Sequence, residues 1–146
     1  MWIKKQTQIN ATPEKVWQVI SDSHYTRKYM FGCEIITNWE KGGPFNWRGH
    51  TPDGKEMDFV KGELLEFDRP KLLKISMIDP FGDYPDQPEN YLVLTYTIAE
   101  GSDSFTSLQL EQGNFASVAK GEQRYQDSLS GWDQVLPMIK KLSEEE

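Results

Sequence analysis

The sequence predicts a domain of the α+β class, in which an antiparallel sheet packs against one long C-terminal helix. Over residues 118–142, apolar side chains recur mostly every three or four positions, which is typical of one face of a helix. The residues before Gly113 form short apolar runs separated by tight turns, which is typical of consecutive antiparallel strands. We therefore expect about six or seven strands that curl around the helix.

The C-terminal helix is predicted from one stripe of apolar residues: Val118, Tyr125, Leu129, Trp132, Val135, Leu136, Ile139 and Leu142. Two residues in this segment oppose a helix. Gly131 costs about 1 kcal/mol relative to alanine in a helix interior, and Pro137 should kink the helix or end it early. A glycine beside Trp132 would let another backbone or ring pack closely. We expect one long helix that is bent or loosened near Pro137.

The N-terminal part predicts one strand followed by two short helices. Residues 2–9 alternate loosely in polarity, as a strand does. Thr12 is suited to cap a helix that begins at Pro13, because its hydroxyl can accept a backbone N–H and proline fits the first helical position. The pair Ser21 and Asp22 ends this helix and can cap a second one over about 23–29.

The middle of the chain predicts an antiparallel meander. Further strands are expected at 33–39, 45–50, 57–67, 72–78, 92–98 and 105–112. The strand 57–67 should bulge or bend at Gly62. The loop 79–90 holds three prolines and one glycine, and loops of this length often cover an opening.

Length and composition favour a single domain over residues 1–146. The net charge is −7 and no basic patch is visible, which argues against a nucleic-acid partner. No apolar run approaches the roughly 20 residues needed to span a membrane, and residues 1–5 lack the apolar centre of a signal peptide. We expect a cytoplasmic protein without membrane insertion. Both a monomer and a homodimer remain open.

The residue types that carry chemistry are sparse. With two histidines and one cysteine, Cys33, the chain predicts neither a disulfide nor a metal centre. Cys33 is expected to be a small, buried or half-buried side chain. Glu63 and Glu66 are three apart on a strand and point to opposite faces, so they are a poor acid–base pair. We therefore expect no cofactor and no catalytic residue.

Several segments resemble the SRPBCC superfamily, also called START-like or Bet v 1-like. Within it the chain is most similar to the group named after the C-terminal domain of the activator of Hsp90 ATPase. The matching segments are 9–17, 41–45 and 62–70, with Gly131, Trp132 and Leu136 in the last helix. This resemblance implies the helix-grip fold, and an apolar pocket between the curled sheet and the long helix. These motifs mark turns and packing rather than chemistry, so the resemblance is specific for the fold and not for the function.

The chain departs from the pattern of the group at two places. Members often show a pair of tryptophans where this sequence has Tyr29 and Met30, and a tryptophan where it has Met77. Smaller or more flexible side chains at these positions would change the volume and shape of the pocket. A relative's ligand therefore does not carry over to this chain.

We expect the pocket to bind a small hydrophobic molecule, such as a lipid-like compound or a polyketide fragment. The candidate ligand-binding residues are Trp39, Trp47, His50, Phe59, Met77, Tyr96, Phe115, Tyr125, Leu129, Trp132 and Leu136. Of these, His50, Tyr96 and Tyr125 are the polar groups expected to reach inside, because ligand pockets are mostly apolar with a few orienting groups. The loop 79–90 is the expected rim.

Three other interpretations remain open. The aromatic residues can simply fill the core, since large rings close a cavity as readily as they line one. The resemblance also suggests a cochaperone-like module acting on Hsp90, although the cochaperone uses a separate N-terminal domain and this chain is too short to hold both. The third is a polyketide cyclase-like enzyme, which would be favoured by a buried acid–base pair.

Overall fold

The computed structural model describes residues 1–145. In that range the strands are β1 (Ile3–Ile9), β2 (Glu34–Thr37), β3 (Phe45–His50), β4 (Glu56–Val60), β5 (Leu64–Asp68), β6 (Leu72–Met77), β7 (Leu92–Glu100) and β8 (Thr106–Gly113). The helices are α1 (Pro13–Ser21), α2 (Ser23–Tyr29) and α3 (Gly121–Glu144), with short 3₁₀ turns at Pro88–Asn90 and Phe115–Ser117. The predicted α+β, helix-grip architecture is confirmed.

The strands form two antiparallel sheets. The larger has the order β1-β8-β7-β6-β5 and the smaller the order β2-β3-β4. Isolated bridges, Pro44 with Glu63 and Lys61 with Ile78, link the two. The predicted strand 57–67 is divided into β4 and β5 around Gly62. A Cβ at Gly62 would stand 1.7 Å from the Ser76 carbonyl oxygen, so only glycine allows the two backbones to approach this closely.

The two short helices begin as the sequence predicts. The Thr12 hydroxyl accepts a hydrogen bond from the Lys15 backbone N–H at 3.2 Å, with Pro13 as the first helical residue. The Asp22 carboxylate accepts one from the His24 N–H at 2.9 Å, which caps α2 directly after α1 ends. The pair of helices therefore forms a tight corner beside β2.

The long helix α3 forms as predicted but begins later in the chain. It begins at Gly121 rather than at 118, because Lys120 has the positive φ of 55° and interrupts the helical path before it. It continues through Gly131 and Pro137 to Glu144, which confirms the prediction of one long helix across these two residues. Pro137 lies on the exposed face of α3, whereas Trp132, Val135 and Ile139 are buried.

The core lies between the concave face of the sheets and α3. The alternation on β7 places Leu92, Leu94, Tyr96 and Ile98 in it, as the sequence predicts. The far end of α3 is tied to β1, since the Lys140 ammonium donates to the Gln8 carbonyl at 2.7 Å. Among the described helices, none is long and apolar enough to cross a membrane.

Candidate ligand cavity

A cavity of about 430 Å³ lies between the sheets and α3. This volume falls in the range of about 300–1,000 Å³ that small-molecule sites occupy. Its lining residues come from most parts of the fold: Met30, Phe31, Cys33, Trp47, His50, Phe59, Val60, Met77, Leu94, Gln112, Ser128, Gly131, Trp132 and Val135. The exposed surface of this wall is predominantly apolar. Binding there would remove apolar surface from water, which favours a hydrophobic occupant.

The helix wall of the cavity is a single stripe of α3. Ser128, Gly131, Trp132 and Val135 stand at positions i, i+3, i+4 and i+7, which share one face of a helix. A Cβ added to Gly131 would meet no heavy atom within 4 Å. The expectation that Gly131 allows another backbone or ring to pack closely is therefore wrong. Gly131 leaves open space instead, and that space belongs to the cavity.

The sheet wall depends on a second glycine. A Cβ on Gly49 would lie 2.8 Å from the Phe59 ring and 3.2 Å from the Cys33 sulfur. Phe59 and Cys33 therefore pack directly over the backbone of β3, and a side chain at position 49 would collide with both of them. Cys33 is 5 % exposed, as expected of a small packed side chain.

The mouth of the cavity is formed by exposed groups. Phe31 is 73 % exposed and has a φ of 53°, a left-handed conformation that is uncommon for a bulky residue. Phe59 is 36 % exposed, and His50 lies with its Nε2 3.9 Å from the Glu56 carboxylate. The segment after α2 is fixed in place because the Thr26 hydroxyl donates to the Cys33 carbonyl at 2.9 Å.

Among the described residues of the cavity wall, the titratable side chains are Cys33 and His50. Among the described lining residues there is no aspartate or glutamate. Burial raises the pKa of the Cys33 thiol, which keeps it protonated and poorly nucleophilic near neutral pH. The arrangement can bind and enclose a molecule, but these residues do not form a nucleophile with an activating base.

A smaller cavity of about 210 Å³ adjoins the first. The two share Val60, Met77, Gln112 and Ser128 in their walls. The smaller one is more polar and lies under the loop 79–90, through Asp79 and Tyr84, with Arg124 and Asp127 from α3 opposite. The Arg124 guanidinium stands 4.2 Å from the centre of the Tyr84 ring. The loop predicted as a rim therefore borders this side chamber.

Five of the predicted ligand-binding residues line the main cavity: Trp47, His50, Phe59, Met77 and Trp132. The other six lie elsewhere. Leu129 and Leu136 sit one position further along α3 than the cavity stripe and pack against the core. Phe115 and Tyr125 stack edge to face at 5.4 Å near the start of α3.

Trp39 and Tyr96 also lie outside the main cavity. Trp39 belongs to an aromatic cluster with Trp17, Phe45 and Phe67, at ring-centre distances of 5.5–6.1 Å from it. The Tyr96 ring packs edge to face on Trp132 at 6.0 Å, and its hydroxyl is buried without a hydrogen-bond partner within residues 1–145. Burial raises the pKa of Tyr96.

Sequence reasoning missed several lining residues: Met30, Phe31, Cys33, Val60, Leu94, Gln112, Ser128, Gly131 and Val135. In the sequence, most of these residues have the pattern of ordinary core or loop positions. Two signals were available. Met30 stands at a position where the resemblance implies tryptophan in other members of the group. Gly131 is unfavourable in a helix interior by about 1 kcal/mol relative to alanine, which indicates a local structural role.

The chain is similar to known proteins over nearly its whole length. The profile of the family described as activator of Hsp90 ATPase homolog 1-like protein matches residues 10–144. No curated protein sequence matches the chain. The solution structure of ChR145 from Cytophaga hutchinsonii is similar, with 30 % identity, a TM-score of 0.73, and coverage of 97 % of this chain and 92 % of that one.

Two more distant structures share the fold. CV1439 from Chromobacterium violaceum is 18 % identical, with a TM-score of 0.76 and coverage of 99 % of this chain and 98 % of that one. PFC0360w from Plasmodium falciparum, described as an HSP90 activator, is 16 % identical, with a TM-score of 0.68 and coverage of 97 % and 95 %. Since the family profile spans nearly all of the sequence, the chain belongs to the activator of Hsp90 ATPase homolog 1-like family.

Proposed function

We propose that this domain binds a small, uncharged hydrophobic molecule in the cavity between the sheets and α3. The observation that carries the proposal is the cavity itself, whose volume is about 430 Å³ and whose wall is predominantly apolar. Monomeric proteins pack their interiors densely and keep few voids larger than a water molecule. An open apolar space of this size is therefore best explained by an occupant.

Two methionines in the cavity wall support the proposal. Met30 and Met77 both line the cavity. They are the positions at which the resemblance implies tryptophans in other members of the group. Methionine is flexible and adapts to irregular shapes, whereas an indole would fill part of the space. A methionine at each of these positions leaves more room in the cavity than a tryptophan would.

The scarcity of charged side chains in the cavity wall supports an uncharged ligand. Among the described residues that line the main cavity, the titratable side chains are Cys33 and His50, and His50 is at the exposed mouth. A charged ligand would lose its hydration without gaining a paired side chain, which is costly. The same wall supports binding rather than a cyclase-like reaction, since it offers no acid–base pair.

The test is a fluorescence titration with N-phenyl-1-naphthylamine, a neutral apolar probe. We expect saturable binding with a Kd on the order of micromolar, because burial of apolar surface contributes about 25 cal/mol per Å² and association itself costs several kcal/mol. In Met77→Trp the indole should occupy the cavity and weaken binding at least about tenfold, which corresponds to about 1.4 kcal/mol.

The matched control is Lys74→Trp, which places the same ring on the opposite face of β6. It should leave probe affinity unchanged, and thermal melts should show that all three proteins are folded. Absence of saturable binding to the parent protein would refute the proposal and favour a filled interior. Equal affinity in the parent and in Met77→Trp would place the probe outside this cavity.

A second candidate is a cochaperone-like module that acts on Hsp90. It is favoured by the description of the matching family and by the likeness to the Plasmodium falciparum HSP90 activator. That likeness is 16 % in sequence and supports a shared fold, not a shared partner. Titration into an Hsp90 ATPase assay should leave the rate unchanged. A saturable stimulation of several fold would establish the second candidate instead.

A further inference from the structure

Gln112, on β8, is the most deeply buried polar side chain in the wall of the cavity, with 2 % exposure. It stands opposite Leu94 on β7, another cavity residue, and borders both the main cavity and the side chamber. A buried amide needs hydrogen-bond partners, because an unpaired polar group in an apolar setting costs free energy. The partners of this amide therefore show what a ligand could contribute.

The orientation of the Gln112 amide is fixed by Trp132. The indole Nε1 lies 2.8 Å from Gln112 Oε1. An indole N–H can only donate, so the amide atom facing it must be the oxygen. The amide nitrogen consequently points the other way, toward Met77.

The Gln112 amide nitrogen is left with a poor acceptor. Its Nε2 lies 3.3 Å from the Met77 sulfur, the one acceptor for it within residues 1–145. A thioether sulfur accepts hydrogen bonds weakly, whereas the amide nitrogen carries two N–H groups. The amide oxygen is paired with a strong donor, but the amide nitrogen has no strong acceptor. A hydrogen-bond acceptor is therefore the group that a ligand could supply at this site.

We infer that Gln112 is the group that orients the ligand, by donating an N–H to a neutral carbonyl oxygen on an otherwise apolar molecule. This inference rests on the proposed function and names the chemical class of its ligand: an aromatic or aliphatic ketone, ester or amide. A carboxylate is disfavoured, because the residues lining the main cavity within the described range include no lysine or arginine. The apolar body of the ligand lies against Trp47, Val135 and Leu94.

The test uses a pair of probes that differ in one group. 2-Acetylnaphthalene carries a carbonyl, and 2-isopropenylnaphthalene has the same shape with a CH₂ group in place of the oxygen. Isothermal titration of the parent protein should show about three- to tenfold tighter binding of the ketone, which is the worth of one neutral hydrogen bond. In Gln112→Met this preference should fall to about one, while binding of the hydrocarbon stays within about twofold.

Ser128→Ala is the matched control, because Ser128 places a hydroxyl on the facing wall of the same cavity. It should keep the preference for the ketone. Loss of the preference in Ser128→Ala together with its retention in Gln112→Met would overturn the assignment of Gln112. Equal binding of both probes by the parent would also overturn it, yet would leave the apolar binding site intact. If neither probe binds, the proposed function and this inference both fail.

A measurement on the parent protein tests the same inference without requiring that Gln112→Met folds. Removing the Gln112 amide leaves the Trp132 N–H without its acceptor, which can destabilise the fold. The side-chain NH₂ signals of Gln112 should shift in ¹⁵N spectra when the ketone is added, with one proton moving downfield, and should not do so with the hydrocarbon. Identical responses to the two probes would overturn the inference without any substitution.

Discussion

Two groups of aromatic residues meet on β3 and differ in how densely they are packed. Phe45 belongs to a filled cluster with Trp17, Trp39 and Phe67, in which neighbouring ring centres lie 5.5–6.1 Å apart. Trp47, two residues further along the same face, stands only 6.0 Å from Phe45 but lines an open cavity of about 430 Å³. Neighbouring rings on one strand can therefore end in dense packing on one side and in open space on the other.

The difference lies in the residues that face the rings. In the filled cluster, rings contact rings, and edge-to-face contacts close the space between them. On the cavity side, the facing positions include Gly131 and Ser128 on α3, together with the flexible Met30 and Met77. A cavity in this fold is thus determined by the small and flexible side chains opposite the aromatic residues, not by the aromatic residues themselves.

The surfaces outside the two groups also differ in polarity. Trp39 and Phe67 border an outer groove of about 940 Å³ whose wall is mainly polar, with Glu14 and Arg69 paired across it at 3.1 Å. An apolar molecule would gain little there, since polar groups would lose their water. Size alone therefore does not identify a binding site, and the smaller apolar cavity is the better candidate.

The largest effect is expected for Trp132→Ala, which removes the ring between the cavity and the core. Trp132 is 6 % exposed, packs on Tyr96 and donates to Gln112. Its loss should lower the free energy of unfolding by about 3–5 kcal/mol, measured by urea denaturation. Trp2→Ala, at a tryptophan that is 44 % exposed, should cost far less. A change under one degree in the melting temperature of Trp132→Ala would contradict the structural role of this helix face.

A matched pair of phenylalanines compares the two aromatic groups directly. Phe45 is fully buried in the filled cluster, so Phe45→Ala should cost about 3–5 kcal/mol of stability. Phe59, at the mouth, is 36 % exposed, and Phe59→Ala should cost about 1 kcal/mol or less. Probe affinity should fall in the folded Phe59→Ala variant. Equal losses of stability in the two variants would mean that the cavity side is as densely packed as the cluster.

A small effect is expected for Gly131→Ala, and its sign is opposite to that of most core substitutions. The added methyl group enters open space, and alanine favours the helix by about 1 kcal/mol over glycine. Urea denaturation should show a stabilisation of about that size. Gly62→Ala is the control, since its Cβ would collide with the Ser76 carbonyl and should destabilise the protein. Destabilisation by Gly131→Ala would show that the space beside α3 is already filled.

The strands and caps were predictable because their signals are local. Thr12 and Asp22 cap their helices through hydrogen bonds to residues two or three positions away, which sequence alone specifies. The alternation on β7 likewise fixes which side chains face the core. The start of α3 was missed because the left-handed Lys120 is not a residue type that marks such a position.

The site was only partly predictable because cavity lining depends on facing elements. The predicted wall of α3 was the most apolar stripe, with Leu129 and Leu136, whereas the cavity stripe lies about one residue away and includes Ser128 and Gly131. A helix rotated by about 100° presents a different set of side chains. The rotation of α3 is fixed by its packing on β1, α1 and α2, which lie far from it in the sequence. Gln112 was hidden for the same reason, since its partner Trp132 is on another element.

The sequence by itself determined the fold class, the order of the elements, both helix caps and the break at Gly62, because each depends on periodicity or on hydrogen bonds within a few residues. The tertiary structure decided which apolar residues fill the core and which border open space. It also decided that Gln112 faces a thioether rather than a strong acceptor. These outcomes depend on distances between residues far apart in the chain, and those distances exist only after the sheets and α3 have packed together.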